Sequence, residues 1–353
     1  VSIQVLTYLH GKPTAQGCIR AEVEDFFVQE QLGFEPSGAG EHVFLWIRKR
    51  STNTNFVAEQ LSKLAKVHPK DVSFAGMKDR HAVTEQWFCV RMAGKADPDW
   101  QQLNDDCIEV LRVVRHAKKL RRGTLKGNLF RIKFRNVENM AGLAARFEQL
   151  VAQGVPNYFG EQRFGHDGKN LEEALAMFAG KRIKNRNKKS LCLSAARSYL
   201  YNQIVSQRLA AHQLNPLAGD VVMLQGSNSF FHVPEWTPEL LERLQSGDVG
   251  LSAPLWGRGT LPSTMQAQAL EQAMAETLAP YAQGLEAAGL EQDRRRMLLH
   301  PEASSIEIDA VAQSVEVTFE LPSGCFATSL LRELITYTDA SQNGAVHSPE
   351  CPN

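Results

Sequence analysis

The densest run of reactive residue types is SFAGMKDRHAVTEQWFCV, residues 73–90. Asp79 stands there in a tight turn of small residues at a strand end, beside Lys78, Arg80 and His81. Adjacent cations favour the charged form of a carboxylate, and a carboxylate can act as a covalent nucleophile at a sugar carbon. An Asp that only closes the turn fits the same text, because turns use Asp freely. A second run, RHAKKLRRGTLKGNLFRIKF at 115–134, sets cations and two glycines before Asn128 and Phe130. Cations there can hold phosphates, glycines admit close backbone approach, and an aromatic can stack on a base. The plainer reading is a solvated basic hairpin with Phe130 in the core. A third run, KRIKNRNKKSLCLSAARSYLYNQI at 181–204, places Lys184, Arg186, Lys188 and Lys189 ahead of a helix, either on an RNA backbone or as a solvated face. In LPSGCFATSLLRELI at 321–335, Phe326 follows a glycine turn, where core packing is the default.

Other chemistries leave no trace. GxxxxGK[ST], HExxH, CxxC and GxSxG are all missing. The six cysteines, at 18, 89, 107, 192, 325 and 351, show no zinc spacing and no dense disulfide framework. The chain has 353 residues, 43% hydrophobic and 22% charged, which suits two globular domains. No run approaches the roughly 18 apolar residues of a membrane span, and the opening VSIQVLTYLHGKP lacks the pattern of an export signal. A reduced protein of the cytoplasm is the expectation. Formal net charge is zero, yet residues 112–135 carry ten Lys or Arg and residues 174–219 carry eight, with no acid in either stretch. Such local basic fields suit selective RNA binding.

The elements that must position these residues follow from periodicity. Strands are expected at 26–32, 42–49, 72–75, 85–92 and 108–116. Residues 129–137 alternate cleanly, with Phe130, Ile132 and Phe134 on one side and Arg131, Lys133 and Arg135 on the other. Residues 52–67 read as an amphipathic helix, and 139–153 as another. Helices are expected at 171–179, 193–211, 238–245 and 264–287, with short strands at 221–224 and 230–233. Strands return at 305–308 and 315–321, then a helix at 327–336. Strands, helices, then strands again predict an α+β protein interrupted by a mostly helical insertion.

Taken together the segments resemble the TruD family of tRNA pseudouridine synthases. The matching text is EDFFVQE at 24–30, SFAGMKDRHAVTEQWF at 73–88, LRRGTLKGNLF at 120–130, GVPNYFGEQRFG at 154–165, LSAARSYLYNQI at 193–204 and LPSGCFATSLLREL at 321–334. The resemblance implies isomerisation of uridine 13 of tRNA without a cofactor, a metal or an obligate protein partner. It implies a catalytic domain at 1–153 and 301–340, with a mixed, mainly antiparallel sheet, and an insertion at 154–300; residues 341–353 read from their own sequence as a disordered tail. It assigns Asp79 as the catalytic nucleophile and places Phe26, Asn128, Phe130 and Phe326 around the substrate. Arg20 stands where related sequences usually have Lys, as the partner of the nucleophile, and the two cations differ in geometry.

The chemistry fits these residues. Uracil leaves C1′ through N1, turns, and rejoins through C5, so nothing is oxidised or added. The base must first be flipped from the RNA, and aromatic faces such as Phe130 and Phe326 can hold it while it turns. Asn128 can hydrogen-bond the uracil edge or orient the nucleophile. Asp79 either attacks C1′ or removes the 2′ proton to give a glycal. Two rivals use the same residues differently. A retaining glycosidase needs a second carboxyl roughly 5–5.5 Å away, for which Glu85 is nearest in sequence. A noncatalytic RNA-binding module keeps the basic runs and needs no particular Asp.

Overall fold

The computed structural model describes residues 5–343; the expected tail at 341–353 lies outside them except for the end of the 3-10 turn Ala340–Asn343. The chain forms two compact units. One gathers Pro13–Val151, Pro301–Gly324 and Leu334–Asn353; the other gathers Val1–Lys12, Ala152–His300 and Cys325–Glu333. No helix among the described residues is long and apolar enough to cross a membrane.

The first unit is built on a ten-stranded mixed sheet. Its main path runs Glu302–Asp309, Ser314–Pro322, Leu125–Glu138, Phe26–Leu32, Val83–Arg91, His42–Arg50 and Ile108–His116. Gln16–Ile19 pairs with Leu125–Glu138 and, in parallel, with Thr336–Asp339. The only other parallel pairing among the described strands joins Phe26–Leu32 to Val83–Arg91, so the sheet is mainly antiparallel. Alternation sets the register. Val315, Val317 and Phe319 lie opposite Phe134, Ile132 and Phe130, and Phe26 and Val28 lie opposite Ile132 and Phe130. A one-residue slip would move every one of these side chains to the other face. Val43, Leu45 and Ile47 continue the same face, where the helix Thr54–Leu64 covers them with Val57 and Leu61.

The second unit centres on the 27-residue helix Arg186–His212, whose Tyr199, Leu200, Tyr201, Ile204 and Val205 are buried. It begins seven residues before the expected start at 193, because Asn185 caps it by accepting from the Lys188 amide at 3.1 Å. The expected helix at 264–287 is two, Met265–Thr277 and Ala279–Ala287, parted at Leu278 just before Pro280. The unit carries more strand than expected. It carries a four-stranded antiparallel sheet in the order Phe230–Val233, Asp220–Leu224, Val249–Leu255, Asp293–Arg296. The last two strands are absent from the sequence reading. The segment 301–340, expected to be catalytic throughout, also divides: Cys325–Glu333 packs with the second unit. There Ser329 Oγ donates to the Tyr158 carbonyl at 2.8 Å, and Glu333 accepts from the amides of Leu9 and His10.

Gly127 marks the tightest strand contact near the prospective site. A Cβ there would lie 2.3 Å from the Leu321 carbonyl oxygen. Gly127→Ala is therefore expected to push these strands apart and cost about 1–3 kcal/mol of stability. Denaturant unfolding measures this, and a midpoint equal to the parent's would show that the strands separate freely.

Candidate active site

On the shared sheet face, three apolar rows end in a polar residue. Phe26 and Val28 lead to Glu30; Phe134, Ile132 and Phe130 lead to Asn128; Val43, Leu45 and Ile47 lead to Lys49. Glu30 and Asn128 are direct cross-strand partners. Thr84 and Gln86 supply two more polar side chains to this face, and both are fully buried. Buried polar groups need partners, and here several partners come from the loop that follows the strand Val72–Phe74, while Thr84 Oγ1 finds none among the described residues. Lys78 Nζ pairs with Glu30 at 2.8 Å, and Thr54 Oγ1 accepts from the Lys78 amide at 3.1 Å. Thr54 Oγ1 in turn donates to Gln86 Oε1 at 2.9 Å, and Gln86 Nε2 donates to the Gly76 carbonyl at 3.3 Å. Lys49 Nζ donates to the carbonyls of Thr52 and Asp79 at 2.8 and 2.9 Å. The main chain around Asp79 is thus fastened from below.

The Asp79 carboxylate is held separately. Arg20 Nη2 donates to Asp79 Oδ2 at 3.0 Å, and Arg20 Nη1 donates to Asp339 Oδ2. The Arg20 guanidinium lies 3.9 Å from the centre of the Phe26 ring. Arg20 and Phe26 are buried, whereas the Asp79 side chain is 33% exposed. Arg20 has a left-handed φ of 56°, a conformation that costs a side-chain-bearing residue about 1–2 kcal/mol. Asp339 reaches Arg20 because its strand pairs with Gln16–Ile19, which puts Ile19 opposite Asp339. Ser341 fixes the other Asp339 oxygen through its amide and its hydroxyl.

The expected site residues divide between the units. Asp79, Arg20, Phe26, Asn128 and Phe130 belong to the first unit, and Phe326 belongs to the second. Phe130 stacks on Phe319 at 5.4 Å and is 8% exposed, so core packing accounts for most of its surface. Asn128 Oδ1 is buried with no hydrogen-bond partner among the described residues. Phe326 is half-buried, edge-on to Phe159 at 5.7 Å. Glu85, the second carboxyl a glycosidase would need, accepts from Arg48 at 2.9 and 3.0 Å and from Gln29 at 2.7 Å. It stands opposite Gln29 and Arg48, on the sheet face away from Glu30 and Asn128. Among the basic residues, Lys188 is paired with Glu173 at 2.7 Å, while Lys184, Arg186 and Lys189 are exposed and make no ion pair among the described residues.

Comparison with known proteins identifies the family. The family model described as tRNA pseudouridine synthase D (TruD) matches residues 2–172 and 167–334. A tRNA pseudouridine synthase D from Shewanella oneidensis is 53% identical over 96% of this chain and 90% of the relative. One from Aeromonas hydrophila is 52% identical over 99% of each. The crystal structure of a candidate tRNA pseudouridine synthase D from Methanosarcina mazei superposes with a TM-score of 0.73 at 24% identity, covering 94% of this chain and 96% of that one, so the fold is shared. The chain belongs to the tRNA pseudouridine synthase D family.

Lys49, Glu30 and Asp339 escaped the sequence reading. For the first two a signal existed: each continues an alternating apolar row, at the position where the pattern calls for another apolar residue. Burial pulls the Lys49 ammonium down from 10.5 to about 8; Asp79 partly opposes this and Lys78 adds to it. In the unfolded chain the group titrates near 10.4. Below pH 8 both states hold the proton, and the full cost of burying the charge is present. As pH rises from 8 towards 10.4 only the unfolded state keeps it, so the cost is relieved. Relative to Lys49→Met, the parent should gain on the order of 3 kcal/mol of unfolding free energy between pH 7 and 10.5. Denaturant titrations across that range measure it. A parent–variant difference that does not move with pH would mean that Lys49 is not buried as a cation.

Proposed function

We propose that this protein isomerises uridine to pseudouridine at position 13 of tRNA, in the cytoplasm, with Asp79 as its nucleophile and without a cofactor. The observation that carries this reading is the Asp79 carboxylate itself. It is the partly exposed end of a cluster whose other members, Arg20, Lys49, Glu30 and Lys78, are buried or nearly so. A loop fastened through its main chain, with one carboxylate directed by a guanidinium, is suited to meet a sugar carbon in a fixed pose.

Each neighbour has a task in this scheme. Arg20 sets the direction of the carboxylate, and Phe26 supports Arg20 from one face. Lys49 holds the Asp79 carbonyl. Asn128 offers a buried amide with an unused oxygen, which suits the N3–H of a flipped uracil. Phe130 shapes the wall behind Asn128 through Phe319. Phe326 stacks on the base, and Lys184, Arg186, Lys188 and Lys189 meet the RNA backbone. The unit holding Asp79 is the catalytic domain, and residues 154–300 are the insertion.

Asp79 can act by two routes. In one, its carboxylate attacks C1′, and the bonding pair leaves with N1 of uracil. The turned base then attacks C1′ through C5, expels the carboxylate and loses the C5 proton. In the other, Asp79 removes the C2′ proton as N1 departs, and the glycal is re-protonated when C5 adds. Deuterium at C2′ slows the second route severalfold and leaves the first nearly unchanged.

Asp79→Asn keeps size and hydrogen bonding but removes the nucleophile. The expected outcome is a folded protein that binds unmodified tRNA and forms no pseudouridine in a single turnover. Turnover at even a thousandth of the parent rate, in protein free of wild-type chain, would take the role away from Asp79. Wild-type protein that binds tRNA and leaves uridine untouched would favour the noncatalytic reading.

A further inference from the structure

The buried Arg20 guanidinium has five N–H donors to place, and the described residues offer it few partners. Nη2 donates to Asp79 Oδ2 at 3.0 Å, Nη1 donates to Asp339 Oδ2, and Nε is buried with no hydrogen-bond partner among the described residues. No main-chain carbonyl among them accepts from the group. Phe26 lies against it, 3.9 Å from Cζ to the ring centre, but a ring face attracts a cation and sets little of its rotation. The orientation of the fork therefore depends on the carboxylates at its two ends.

The two acids are not equivalent. The Asp79 side chain is 33% exposed and sits in a loop, whereas that of Asp339 is 15% exposed and closes a strand. The start of that strand is tied by the Thr336 amide, which donates to the Ala15 carbonyl at 2.9 Å, and its register sets Ile19, the neighbour of Arg20, opposite Asp339. Asp339 Oδ1 accepts from the Ser341 amide at 3.1 Å and from Ser341 Oγ at 2.6 Å, while Oδ2 serves Arg20. Asp339 is the fixed end of the bridge and Asp79 the more open one. This division has a chemical consequence. An arginine and a lone carboxylate often form a bidentate pair, with two parallel hydrogen bonds to two oxygens. Such a pair would occupy both oxygens with which Asp79 could attack C1′ or take the C2′ proton. Here Asp339 keeps Nη1, so Arg20 gives Asp79 a single hydrogen bond. One bond aims the carboxylate without enclosing it.

We propose that Asp339 is a positioning residue for the reaction: by holding one end of Arg20 it sets the direction of the Asp79 carboxylate and keeps the second bond of the fork away from it. The proposal rests on the pseudouridine synthase reading with Asp79 as the reacting group, and it adds a residue that acts through Arg20 and not on the substrate.

The experiment is a double-mutant cycle on the full-length chain: parent, Asp339→Asn, Arg20→Lys and the double variant, each measured for tRNA affinity and for pseudouridine formed in a single turnover. Asparagine keeps the shape of Asp339 but has one accepting oxygen for donors on two sides. Asp339→Asn should slow the turnover about tenfold to a hundredfold, the worth of a charged hydrogen bond, while tRNA binds as tightly as before. Lysine keeps the charge of Arg20 without its planar fork, so in the Arg20→Lys background the same substitution should slow turnover by no more than about twofold. A residue that only ties down its strand would slow both backgrounds by the same factor, and that result overturns the role. An Asp339→Asn rate equal to the parent's also overturns it. If Arg20→Lys turns over too slowly to time, Asp339→Glu decides, because it restores the charge: a rate no better than that of Asp339→Asn overturns the role. If Asp339→Asn fails to fold, Ser341→Ala takes its place in the cycle, and a rate equal to the parent's overturns the role. Variants as fast as an active parent sink the role of Asp339 and leave the functional reading intact. A parent that binds tRNA and forms no pseudouridine sinks both.

Discussion

One guanidinium ties together the first unit around Asp79. Arg20 joins two carboxylates that arrive from remote parts of the chain, Asp79 from the loop after Val72–Phe74 and Asp339 from a strand near the C-terminal end. Taking an arginine out of water is tolerable only when its charge is answered. Asp339 answers it from the buried side, fixed by Ser341, and Phe26 covers one face. Asp79 can then remain partly open to solvent without leaving the arginine uncompensated. A lysine at this place supplies the charge without a planar fork that spans two carboxylates.

Beneath that clamp, the sheet trades hydrophobic burial for fixation of a loop. Lys49, Glu30, Thr84 and Gln86 occupy positions where an apolar side chain would contribute about 1.5–3 kcal/mol by burial. A polar replacement is worthwhile only if its partners are in place, and for Lys49, Glu30 and Gln86 one partner each is a main-chain or side-chain atom of residues 76–79. Glu30 illustrates the tension. Burial pushes its carboxyl up while Lys78 pulls it down, and the Trp87 amide donates to its other oxygen at 2.9 Å. Removing one member of such a buried pair typically costs about 3–5 kcal/mol, so the loop cannot relax without loss elsewhere.

Much of this was legible in the sequence, and the remainder failed for identifiable reasons. The alternation at 129–137 and 315–321 named the strands and even the face of Phe130, because period two is a strong signal wherever one face is buried. The segment DRRR at 293–296 was silent as a strand: three consecutive arginines look like a solvated surface. In the fold Arg294 is buried against Glu271 at 2.9 Å, and Arg295 and Arg296 reach Asn157 and the Met223 carbonyl. VGLSAPL at 249–255 was silent because small residues and a proline carry little strand preference. Asp79 stood out by its neighbours. Asp339 could not, since its importance comes from a parallel pairing with Gln16–Ile19 that nothing local announces. The resemblance to a family supplied Arg20 and Phe26, which no residue pattern would have selected.

That parallel pairing has a bearing on how the protein is made. The strands Gln16–Ile19 and Thr336–Asp339 lie far apart in the sequence, and everything between them must be synthesised before they can meet. At ribosomal rates of roughly 5–20 residues per second, that interval is on the order of tens of seconds. During it the emerging chain already carries Asp79 and Arg20 but lacks the strand that holds Asp339. Local helices and the hairpins of the second unit can form meanwhile, since their contacts close over short loops. The carboxylate that shares Arg20 with Asp79 therefore arrives long after Asp79 itself, and a translation product cut short before residue 336 would carry the proposed nucleophile without the full clamp on Arg20.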